Sequence, residues 1–481
     1  MKRLVTMAAI AAVLSGCNGG GPGGSTLVAG SGGSGGGTIE TGGGGSGGSA
    51  CTLRARQDWA LGRLNEWYLF PETLPASLDP TPYTTVGAYV DALTATAREQ
   101  RKDRYFTYLT SIAEENAFLN SGASAGFGIR LSTDGAARRA FVSEAFEGAP
   151  ALAAGIDRGT EILAIGEVGG SLRLVTDIIA AEGTGGVSAA LGANTAGVQR
   201  VLRVSDTGGQ RQLTVTKADY SITPVSSRYG ARVIEDGGRA IGYLNLRTFI
   251  ATADNQLRSA FATFKAAGVR DVVVDLRYNG GGLVDTAALF GDLLAAARST
   301  GDVQDYVTYR PSKSSSNSTR FYRREANAIA PVRIAFIGTG ATASASELVI
   351  NQALPYFGAN VALVGSNTFG KPVGQNAYDR AECDDRLRVV AFATQNAARQ
   401  GDYYDGLASK VPQTCAATDD TSRQLGDPQE AMLRTAIDFL NGRSCTRIAV
   451  GQTTQAAGAG RTELLGAARP SAAQRDMPGL F

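Results

Sequence analysis

Across 481 residues, 43% of them hydrophobic, the chain has apolar surface for about two to four buried cores and lacks the composition of a fibrous or wholly disordered protein. Forty-six basic residues against 44 acidic ones leave a formal charge of +2 with no basic run, which excludes an electrostatic nucleic-acid groove or a surface for acidic partners. There is no histidine, so a serine hydrolase here cannot use imidazole as its base, and a buried lysine is the remaining well-attested activator.

Lys2 and Arg3 precede a short apolar run from Leu4 to Leu14 that ends in Leu14-Ser15-Gly16-Cys17, the pattern of a secretory signal peptide over 1–17. The run is about half the roughly 20 residues a spanning helix needs. Its end resembles a bacterial lipobox, which implies lipidation of Cys17; Asn18 in place of aspartate implies the outer membrane of the cell envelope, on its periplasmic face. Residues 18–50 hold 17 glycines in 33 positions and are expected to be a disordered tether with a span of about 30 Å.

Four further cysteines, Cys51, Cys383, Cys415 and Cys445, are expected to pair in an exported protein. Of the three possible pairings, Cys383 with Cys415 and Cys51 with Cys445 is favoured here, because the first closes a local loop and the second joins the ends of the folded body. With no CxxC spacing and no His, no metal site is expected, and nothing calls for a cofactor.

The spacing of Trp59, Leu61, Leu64 and Trp67, then of Val86, Tyr89, Val90 and Leu93, predicts helices and an N-terminal helical cap over 51–123 with no catalytic constellation. Residues 124–218 change to short β-type runs, FVSEAF at 141–146, EILAIG at 161–166 and RQLTVTKA at 211–218. The block GAPALAAGIDRG at 148–159 resembles the PDZ domain of bacterial proteases, although Thr160 stands where aspartate is usual. The resemblance makes Gly126, Phe127, Gly128 and Ile129 the loop that offers N–H groups to a peptide terminus. From 219 to 445 strand and helix alternate, including GYLNL at 242–246, DVVVDL at 271–276, VRIAFIG at 332–338, NVALVG at 360–365 and RVVAFAT at 388–394. An α/β core follows, and 446–481 is expected to be a disordered tail.

Three segments carry the chemistry: DLRYNGGGL at 275–283, TASASE at 342–347 and FGKPVGQ at 369–375. Gly365 to Lys371 fits G-x4-G-K, but Pro372 removes the hydroxyl that a P-loop needs for magnesium. No lysine follows a serine by three residues. In this order, on an α/β body after a PDZ-like block, the three segments resemble the carboxyl-terminal processing (tail-specific) serine protease family over roughly 55–443.

That resemblance implies an α/β protease core of the ClpP/crotonase-like kind with an N-terminal helical cap and an inserted β-rich PDZ domain. It implies a serine endopeptidase with Ser344 as nucleophile, Lys371 as base, Gln375 orienting the lysine, and the N–H groups of Gly282 and Ala345 as oxyanion donors. Polypeptides would be its substrates, the membrane its partner through Cys17, and an adaptor lipoprotein or a second copy a further partner. The 27 residues from Ser344 to Lys371 exceed the family's interval slightly, and Ser346 fits the shorter one, so Ser346 is the alternative nucleophile. Asp275 and Arg277 read as a structural ion pair. The non-enzymatic alternative is a peptide-binding scaffold that keeps the fold without hydrolysis. The apolar segment Gly479-Leu480-Phe481 is a candidate occupant of the peptide groove, as substrate or inhibitor.

Overall fold

The apolar run Val272–Val274 can be satisfied only by burial on both faces, and in the computed structural model, which describes residues 28–29, 49–449, 462–467 and 470–481, it forms the middle of a central strand, Asp271–Asp275. It lies in a six-stranded sheet ordered Ala231–Asp236, Arg239–Asn245, Asp271–Asp275, Arg333–Gly338, Val361–Gly365 and Gln413–Ala416. The first pair is antiparallel and the other four pairings are parallel. The helices Ala253–Ala266, Val284–Leu293 and Ala345–Phe357 pack on one face and Ala431–Leu440 on the other, so both faces are covered.

RVVAFAT belongs to a strand, Asp385–Asn396, but in a second sheet, where it pairs with Val373–Arg380 and Val303–Tyr309. Against that sheet sits the helical cap. The helices Leu53–Trp67 and Val86–Leu93 bury Ala60, Leu64, Val86, Val90 and Leu93 on Leu387, Val389 and Val390.

The β-rich unit hangs from a two-stranded neck, Ala123–Gly126 paired with Ala218–Ser221. Its own sheet contains Ile129–Asp134, Arg139–Ala145, Glu161–Gly166, Gln199–Asp206 and Gly209–Thr216. Buried charge fastens it to the core: Glu144 accepts from Arg247 Nε at 2.6 Å, Arg130 Nε at 3.3 Å and the Tyr229 hydroxyl at 2.6 Å.

The structure corrects two expectations and bears on a third. The disulfides are Cys51–Cys383 and Cys415–Cys445, with Cα separations of 5.6 and 5.3 Å. Cys51 precedes the first cap helix, which lies across the second sheet and meets the turn at 381–384; Cys445 follows the helix Ala431–Leu440, which returns the chain beside Gln413–Ala416. Cys415–Cys445, 30 residues apart, closes a slightly shorter loop than the favoured Cys383 with Cys415, whereas the 332-residue reach from Cys51 to Cys383 follows from the fold alone. The tail is also not a disordered appendage among the described residues. Glu463–Leu464 adds a strand to Ile129–Asp134, Ala472–Asp476 forms a helix, and Phe481 is buried. Of the 18–50 stretch, Val28–Ala29 pairs with Gly282–Leu283 and Gln375, while most of the rest, with Cys17, lies outside the described residues. No helix among the described residues is long and apolar enough to cross a membrane.

Asp275 and Arg277 are structural, as read. The buried Arg277 guanidinium donates to Asp275 (Nη2 at 2.8 Å), Glu430 (Nη2 at 2.9 Å) and Asp419 (Nη1 at 2.8 Å); despite burial it holds the Glu430 carboxyl below its ordinary range, and Arg158 together with Arg277 does the same for Asp419. Removing the cation leaves buried carboxylates uncompensated, so Arg277→Met is expected to cost about 3–5 kcal/mol of stability, read by denaturant unfolding. A loss under about 1 kcal/mol would show that the cluster does not hold the strand end.

Candidate active site

The chain leaves the central strand at Asp275 and turns through Asn279 into the glycine run. Asn279 locks this turn with its side chain: Nδ2 donates to Leu246 O at 2.9 Å, and Oδ1 accepts from Gly281 N at 2.9 Å. Its carbonyl accepts from Ala343 N at 3.1 Å and Ser346 Oγ at 3.0 Å, which sets the glycine loop beside the start of the helix Ala345–Phe357. Gly282 has φ +130° and packs on the backbone of Phe249, where a Cβ would collide, so the position needs glycine on both counts.

Ser344 stands immediately before that helix with φ 60° and ψ −115°, a conformation that costs a non-glycine residue about 1–3 kcal/mol. Its Oγ is buried and makes no hydrogen bond among the described residues. Ala345, the first helical residue, has an N–H with no acceptor inside the helix and lies at the positive end of the helix dipole. Ser346 differs from Ser344 in that its hydroxyl is already engaged with Asn279 O.

Glu347 joins the two halves of the site. Its buried carboxylate accepts from Ser344 N at 3.0 Å and Lys371 N at 2.7 Å through Oε2, and from Gly370 N at 2.7 Å and Thr368 Oγ1 at 2.6 Å through Oε1. Burial pushes its carboxyl up, and the four donors pull it back. The same loop is fixed a second time where Phe369 N donates to Thr342 O at 2.9 Å.

Lys371 is 1% exposed, and its Nζ donates to Gln375 Oε1 at 3.1 Å and sits 4.7 Å from the centre of the Phe106 ring. Gln375 Nε2 donates in turn to Phe106 O, so the amide orients toward the lysine with its oxygen. Burial pushes the ammonium down to about 7, opposed by Asp476, Asp103 and Glu347 and assisted by Arg388. A group so placed can be neutral near neutral pH and accept a proton.

The sequence reading missed the cap's share of this site. Phe106 supplies both the ring under Lys371 and the carbonyl for Gln375, and Arg104 Nη2 donates to Phe369 O at 2.7 Å and Gly370 O at 2.6 Å. These residues are about 265 positions away in sequence, beyond any local pattern. Glu347 was within reach, since an acidic residue three after a helix-capping serine is a capping-box signal. The loop Gly126–Ile129 lies apart, at the edge of the β-rich unit.

Residues 240–401 match the model of peptidase family S41. The chain is 27% identical over 281 residues to a chloroplastic C-terminal processing peptidase of Tetradesmus obliquus, covering 54% of each chain. It is 27% identical over 262 residues to a carboxyl-terminal-processing protease of Picosynechococcus sp., covering 54% of this chain and 57% of the relative, so it spans about half the length of these curated relatives. A solved structure from Bacteroides fragilis, assigned to the S41 proteases, superimposes with a TM-score of 0.62 at 23% identity, covering 80% of this chain and 97% of the other, which shows a shared fold.

Glu347→Ala would leave three N–H groups and a hydroxyl without their acceptor. At about 1–3 kcal/mol for each buried donor left unpaired, a loss of at least about 3 kcal/mol is expected in chemical denaturation. Wild-type stability in that variant would contradict the role assigned to the carboxylate.

Proposed function

From its membership of the tail-specific serine protease family, through the peptidase family S41 domain at 240–401, we propose that the chain is a serine endopeptidase with Ser344 as nucleophile and Lys371 as base. The observation that carries the reading is the shared Glu347 carboxylate, which ties the backbone of Ser344 to that of Lys371 while the lysine side chain stays buried. Neutral Lys371 takes the Ser344 proton as Oγ forms its bond to the scissile carbonyl carbon, and the oxyanion receives N–H groups from Gly282 and Ala345. The ammonium then protonates the departing amine as the C–N bond breaks. Water attacks the acyl-enzyme with Lys371 again as base, releasing the carboxylate product and restoring the serine. Gln375 positions the lysine without adding a charge that would keep it protonated. Ser344 is preferred to Ser346 because only the latter's hydroxyl is already committed.

In the same proposal residues 124–218 act as a PDZ domain whose Gly126–Ile129 loop receives apolar peptide ends, and the substrates are exported polypeptides. Support comes from the strand after the loop, Ile129–Asp134, whose outer side is paired, among the described residues, by short tail segments. A lipid on Cys17 would hold the enzyme at the cell envelope, with an adaptor lipoprotein or a second copy as further partners. Cys17→Ala is then expected to move the protein from the membrane to the soluble fraction, and unchanged membrane association would refute the anchor.

On a denatured protein substrate, Ser344→Ala and Lys371→Met should each lose at least about 100-fold in kcat/KM, and Ser346→Ala should lose far less. Because the base must be neutral, the wild-type rate should rise with pH through about 7 and fall away below it. Full activity in either of the first two variants would sink the dyad.

A further inference from the structure

The groove beside the strand Ile129–Asp134 is already filled by the chain itself. Phe481 N donates to Ile129 O at 2.8 Å, and Phe481 O accepts from Gly128 N at 2.8 Å and Ile129 N at 3.1 Å. Two residues back, Gly479 O accepts from Leu131 N at 2.8 Å, and Leu480 bridges to Arg130 in antiparallel register. The Phe481 side chain is 2% exposed and packs in the apolar cluster of Phe127, Ile129 and Leu131. Gly126 has φ +154°, and a Cβ there would lie 2.8 Å from Phe481 C, so the loop fits this backbone closely. The segment therefore adds a strand and fills a pocket, the two components of peptide recognition at a sheet edge.

Its other end reaches the reactive site. Ser471 and Gln474 form a capping box that starts the helix Ala472–Asp476, anchored where Ala472 N donates to Glu114 Oε1 at 2.8 Å and where the Arg475 guanidinium lies 3.9 Å over the Tyr108 ring. Asp476 O accepts from Gly280 N at 3.0 Å, within the glycine run that precedes the proposed oxyanion donor Gly282. Against the burial that lowers the proton affinity of Lys371, the negative charge of Asp476 raises it, as do Asp103 and Glu347, while Arg388 lowers it further. Met477 and Leu480 bury against Ile250 and the neck residue Tyr220, joining the groove to the core.

The geometry points to an intramolecular competitor: the segment Ser471–Phe481 occupies the peptide groove and the approach to Ser344, so that a substrate of similar apolar sequence must displace it before it can be cut. This rests on the protease reading for its consequence but not for the binding itself. A peptide that takes the groove would pull Phe481 and Leu480 out, and with them Asp476 from the glycine run and from Lys371. Loss of that negative charge favours neutral Lys371, so displacement both opens the cleft and activates the base.

Three measurements test it. A fluorescent synthetic peptide of residues 471–481 should bind saturably to a chain lacking those residues, and the Gly126→Val form of that chain should bind at least tenfold more weakly. Absence of saturable binding to the truncated, folded chain overturns the inference whatever the enzyme does. Cleavage of a denatured protein by the truncated chain should be at least tenfold faster than by the full chain and should be suppressed again by the added peptide; equal rates, with Ser344→Ala inactive, overturn the inference and leave the protease reading intact. Because truncation exposes apolar surface, Asp476→Asn in the full chain gives a milder check. Its kcat/KM below pH 7, which reports the free enzyme with the segment docked, should exceed that of the parent, with the acid limb displaced to lower pH, and an unmoved limb would remove Asp476 from the device.

Discussion

Four donors converge on one buried carboxylate, and the arrangement of the reactive groups depends on that convergence. Glu347 is carried by the helix that Ser344 begins, yet three of its four hydrogen bonds go to the loop that carries Lys371. Burying an ion costs several kcal/mol unless its lone pairs are satisfied, and here each oxygen takes two donors. The consequence is geometric. Helix start and lysine loop cannot drift apart without leaving the carboxylate and several N–H groups unpaired at once.

Around that hub the site is assembled from pieces that contribute one property each. The central strand delivers the glycine run, Asn279 fixes it to the helix, and the strained backbone of Ser344 is held because both of its flanks are fixed. The cap closes the site from the far side with Phe106 and Arg104, which exclude water from Lys371 and hold its loop. Exclusion of water is what lowers the lysine's proton affinity, so the cap belongs to the chemistry as much as to the fold. The disulfide Cys51–Cys383 fixes that cap to the sheet bearing Gln375.

The segment Ser471–Phe481 touches both the groove beside Ile129–Asp134 and the glycine run at Gly280. Its strand-like end pairs with the β-rich unit, and its helix lies against the core, so occupancy at one is mechanically tied to the other. The apolar end Gly479-Leu480-Phe481 was legible as a candidate groove occupant, but Met477, Leu480 and Phe481 form no periodic face that would announce the helix and strand around them.

The sequence by itself carried the order of parts and the α/β core, through strand-period patterning, and it pointed to Ser344, Lys371, Gln375 and Gly282 through three segments that resemble a protease family. It also carried the ion pair of Asp275 and Arg277, two residues apart on one strand end. What only the tertiary structure decided were relations between distant segments. The disulfide partners, the cap residues under Lys371, the engagement of Ser346 with Asn279 and the docking of the tail all depend on which surfaces meet, and local spacing carries no information about that. Glu347 stands between the two: its position after Ser344 was legible as a cap, but its bond to Lys371 required the fold to bring the loop within 2.7 Å.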